Sequence, residues 1–62
     1  MNLVTEPNLT QSDDFYASLL AVHQSLGPDE SAALNARLIL ILANHIGDLK
    51  TLEQALELAA KS

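Results

Sequence analysis

The stretch AALNARLILILANHIG, Ala32 to Gly47, decides how this chain folds. Wound as a helix at about 100° per residue, it places Leu34, Leu38, Ile41, Leu42 and His45 on one side. Ala32, Ala36, Ile39, Ala43 and Ile46 fall roughly opposite, and on one side a narrow polar stripe of Glu30, Arg37 and Asn44 separates the two faces. A helix this apolar around its circumference belongs inside a protein or inside a membrane. A membrane span needs about 20 apolar residues. This run is shorter and is interrupted by Asn35, Arg37, Asn44 and His45, so burial against protein is expected.

Outward from this stretch, Pro28 suits the first turn of the central helix, where a missing N–H is harmless, and Asp29 and Glu30 suit its positive end. Gly47 ends it. Upstream, Ser12 is an N-cap candidate and Asp13 and Asp14 follow it. Phe15, Leu19, Val22 and Leu26 then line one face, with Tyr16, Leu20 and His23 beside them, and Gly27 is expected to close the helix as a left-handed cap. So short a connection predicts an antiparallel hairpin of the first two helices. Downstream, Asp48 is the natural N-cap of a third helix whose apolar face is Leu49, Leu52, Ala55, Leu56 and Ala59. Met1 to Gln11, where Pro7 turns Glu6 away from helix, reads as an extended arm. The expectation is one all-α domain over residues 1–62: an arm (1–11) and helices over 12–26, 28–46 and 48–61.

A chain of 62 residues hides only about 60% of its unfolded surface on folding. It has no cysteine, which removes disulfides and thiolate metal sites and is compatible with a reducing cytoplasm, the expected location. A net charge of −5 with three basic residues speaks against nucleic acid as a partner. The remaining remedy for a small core is self-association or docking on a larger protein. Leu20, Leu40, Ile41 and Leu58 sit at the edges of their apolar arcs and are expected to stay uncovered, as interface surface does. The flat Ala32, Ala36 and Ala43 side suits close helix approach, within the unit or across a two-fold axis.

Several polar residues border these faces. His45, near the carboxyl end of the central helix, and His23, at the rim of the first helix, read as satisfied histidines of a core or interface. No histidine spacing here assembles the three or four ligands that zinc needs, so no metal or other cofactor is expected. Asn35 either fixes register or partner choice or bonds solvent near an edge. Arg37 is a surface arginine or forks onto a carboxylate from another helix or chain. There is no nucleophile constellation and no glycine-rich phosphate loop, so catalysis is not expected. The competing reading is a small-molecule binder, or minor catalytic component, using Asn44, His45 and Arg37.

The strings ALNARLILILANHIGD (Ala33 to Asp48), MNLVTEPNL and DDFYASLL resemble a family of short uncharacterised proteobacterial proteins classed as a domain of unknown function. The likeness covers most of the chain up to Asp48, and the third helix is generic. The resemblance carries no active-site residue with it. It implies genomic proximity to flavin-dependent hydroxylases and other enzymes of aromatic-acid breakdown, which is association and not mechanism. The leading expectation is a non-enzymatic helical interaction protein, a homodimer or a small accessory subunit. Its interface would draw on Leu34, Leu38, Ile41, Leu42, His45, Ala32, Ala36, Ile39 and Ala43, with polar contacts from Asn35, Arg37 and Asn44.

Overall fold

Three helices make up the regular structure of the protein: α1 (Ser12–His23), α2 (Pro28–Ile46) and α3 (Leu49–Lys61). The computed structural model describes residues 2–61; Met1, expected to open the arm, and Ser62 lie outside them. The chain is all-α, as its periodicities require.

Each helix end has a local cause. Pro28 stands in the first turn of α2, and the Glu30 carboxylate folds back to accept the Gly27 N–H at 3.2 Å. Gly27 is therefore the N-cap of α2, in extended conformation at φ −78° and ψ 173°. A residue before proline is pushed out of the helical region, so Gly27 cannot also serve as the left-handed cap expected for α1. That expectation is corrected, and with it the helix end: α1 stops at His23 rather than Leu26. The chain then tightens into a turn through Gln24, whose N–H reaches Ala21. Ser12 is likewise not the N-cap. Gln11 takes that place, without a side-chain bond, and its carbonyl accepts the Phe15 N–H at 3.0 Å.

Gly47 ends α2 in the left-handed conformation, φ 68° and ψ 15°, its N–H bonded to the Ala43 carbonyl. A methyl group there would meet only the Asn44 carbonyl, at an ordinary 3.7 Å. The penalty for Gly47→Ala is therefore conformational and not steric, about 1 kcal/mol. Urea unfolding of the variant, with Gly47→Asn as a milder comparison, should show that loss; an Ala variant as stable as the parent would contradict it.

Asp48 caps α3, which starts at Leu49 one residue later. Its Oδ2 accepts both the Thr51 N–H, at 3.1 Å, and the Thr51 hydroxyl. Thr51 is 4% exposed, and among the described residues no apolar side chain is buried. The arm is extended and lies along α3, where the Leu3 N–H donates to Gln54 Oε1 at 3.2 Å. Leu3 is half-buried there while its neighbour Val4 points into solvent, the alternation of an extended chain.

These helices lean together without enclosing an interior. The radius of gyration is 13.2 Å, where a compact chain of this length has about 10.6 Å. The accessible surface is 5544 Å², against about 3900 Å² for a folded monomer of this mass. The arc-edge residues expected to stay uncovered are open, with Leu40 70% and Ile41 65% exposed, and Ile39 on the second face of α2 is 64% exposed as well.

Candidate functional site

The two apolar faces of α2 meet different fates. On the first, Leu34, Leu38, Ile41 and the stem of Arg37 form one wall of an open groove of about 340 Å³. The other wall is α1, through Phe15, Ser18, Leu19 and Val22. Each wall covers seven helical rises, from Phe15 to Val22 and from Leu34 to Ile41, or about 10.5 Å of helix. Leu34, Leu38 and Leu19 are half-buried along the floor, while Phe15, Val22 and Ile41 stand exposed.

A polar clamp fixes how α1 lies on α2 at one end of this groove. His23 Nδ1 is 2.8 Å from Ser31 Oγ and its Nε2 is 3.1 Å from Asn35 Oδ1. An amide oxygen only accepts, so Nε2 carries a hydrogen, and the neutral ring takes the Ser31 hydroxyl proton at Nδ1. Both ring nitrogens are thus engaged within the fold, which leaves His23 no lone pair for a metal or for general-base work. Asn35 thus joins two helices of its own chain while remaining exposed. Ser31 had no assigned role in the sequence, although Ser31 and Asn35, one turn apart on an otherwise apolar side, were the available signal.

The other residues singled out from sequence are not brought together. Asn44 and His45 are exposed, border no part of the groove, and have no side-chain hydrogen bond among the described residues. Arg37 has no ion-pair partner among them. Leu42 is about half exposed. On the second face Ala32, Ala36 and Ile39 lie open, while Ala43 and Ile46 are half-buried toward the carboxyl end. On α3 the polar flank is taken by the arm, which with Gln54, Glu57, Leu58 and Lys61 outlines a shallow hollow. The opposite side of α3 is free, with Leu49 70% and Leu56 69% exposed.

Among the described residues no three histidine, aspartate or glutamate side chains cluster as metal ligands would, and no helix is long and apolar enough to cross a membrane. One titrating group is perturbed. The Thr51 hydroxyl, and after it the Thr51 N–H, hold the Asp48 carboxyl below its usual 3.8. A depressed carboxylate pKa supports the fold above the unfolded value, and the support is lost as pH falls through the folded value. Following the Thr51 amide proton by NMR through an acid titration should give a midpoint below 3.8. A midpoint at or above that value would remove Asp48 as the cap.

What the arrangement can do chemically is bind apolar surface. It offers a half-open groove with a cation on its rim, a bare second face on α2 and a bare leucine row on α3. No curated protein and no solved structure matches the chain. A family model described as a protein of unknown function, DUF2783, matches residues 3–61, and the chain belongs to that family.

Proposed function

We propose that this protein is a non-enzymatic helical interaction module that completes its hydrophobic core by self-association. The observation that carries this reading is the surplus of open apolar surface. Each chain exposes about 1600 Å² more than a folded monomer of its mass should. Two chains that covered most of that excess would bury an area in the range of obligate homodimers, about 2000–5000 Å². A chain of this length has no disulfide to hold it instead. Sedimentation at micromolar concentration should therefore show dimers or higher species. A rigid, fully helical monomer would overturn the proposal.

The resemblance to short proteobacterial proteins supports a second occupant for the same surfaces, a larger enzyme such as a flavin-dependent aromatic hydroxylase. Repeating the sedimentation with that enzyme added reads this out, since a heterocomplex would form at the expense of the dimer. Small-molecule binding through Asn44, His45 and Arg37 has weaker support. Only Arg37 borders the groove, whose volume sits at the low end of ligand sites, about 300 Å³ and upward.

A further inference from the structure

We infer that the α1–α2 groove of one chain receives α3 of a second copy, antiparallel to α2 and in reciprocal exchange across a two-fold axis; this rests on the self-association proposed above. The groove wall on α2 has apolar ends at Leu34 and Ile41 with Arg37 between them, three residues from the first and four from the second. The free side of α3 has the same punctuation in reverse. Leu56 and Leu49 are its exposed ends, and Glu53 lies between them, three residues from Leu56 and four from Leu49.

In both rows the ends lie seven positions apart, or about 10.5 Å of helix. Run antiparallel, Leu34 meets Leu56, Arg37 meets Glu53 and Ile41 meets Leu49. Glu53 lies beside the leucine row on the helix surface, so its carboxylate approaches the rim as the leucines enter the groove. Neither Arg37 nor Glu53 has an ion-pair partner among the described residues. The pairing therefore satisfies two charges without breaking an existing contact.

A parallel arrangement lacks this fit, because it places Leu52 level with Arg37 and leaves Glu53 out of step. The helix of the same chain cannot supply the match. Leu49 follows Ile46 across the short Gly47–Asp48 joint, so it starts at the carboxyl end of α2, five residues or about 7.5 Å beyond Ile41. The exchange is isologous, each chain giving one helix and receiving one, as closed dimers require.

Charge reversal and cross-linking test the register separately from dimerisation itself. Arg37→Glu and Glu53→Arg should each weaken the dimer by about tenfold or more, since every dimer holds the pair twice, and the double variant should recover most of that loss. The chain has no cysteine, so mixed Leu34→Cys and Leu56→Cys chains should oxidise to a covalent dimer faster than Leu34→Cys mixed with Leu49→Cys. A parent dimer with indifferent charge reversals, or with preferred 34-to-49 linkage, would overturn the register and leave self-association standing. A parent that stays monomeric in the same experiment would overturn both.

Discussion

Diluted about a thousandfold, the protein should lose roughly 18 °C from its thermal midpoint. The expectation follows from the state of the interior. The best-buried side chain among the described residues is a threonine, and no leucine or isoleucine is buried. Folding enthalpy scales with the surface removed from water, so under the proposed self-association a chain that hides so little alone should draw much of its stability from its partner. When unfolding and dissociation are one event, the midpoint shifts with the logarithm of concentration. A two-chain unit of this length, unfolding with on the order of 80 kcal/mol, gives the figure above. Circular dichroism melts across the concentration range provide the measurement. Superimposed curves would mean that the isolated chain is stable by itself.

The second large effect is expected from Leu56→Glu. In a lone chain Leu56 is 69% exposed, in the middle of the most amphipathic helix. Glutamate is a good helix former, and a surface substitution there should change stability by no more than about 0.5 kcal/mol. If the leucine row of α3 is buried between chains, the same change introduces two carboxylates into each dimer, one in each groove. The dimer dissociation constant should then rise at least about a hundredfold, or about 2.7 kcal/mol. Sedimentation equilibrium of parent and variant decides between these outcomes. Lys50→Glu on the same helix, roughly 100° around from the row, serves as the control and should leave the constant within about threefold. An unchanged constant for Leu56→Glu would remove α3 from the interface.

Much of the fold was legible because it depends on residues with one strong local preference. Gly47 and Asp48 sit between two apolar periodicities and can do little there but end one helix and begin the next. Pro28 was equally plain, yet its consequence one residue back was missed: by forcing Gly27 into extended backbone it ended α1 before Leu26. The half-burial of Leu34 and Leu38 in one groove follows from helical spacing, as does the presence of Arg37 on its rim. Burial as such was not legible. Periodicity tells which side of a helix avoids water but not whether another element of the same chain arrives to cover it. That depends on the angle at which α3 leaves α2, which two joint residues set and no pattern encodes. Asn35 stood out as an amide on an apolar side, but its partner did not, and Ser31 is an unremarkable polar residue until His23 is brought across from α1.

That three-residue clamp bears on how quickly partners find one another. Helices with so little between them would ordinarily slide, and each encounter would wait for a suitable outline to form. With the imidazole tied to two successive turns of α2, the walls of the groove are held together, so in the proposed dimer less ordering would remain for the moment of docking and collision frequency rather than rearrangement should set the pace of assembly.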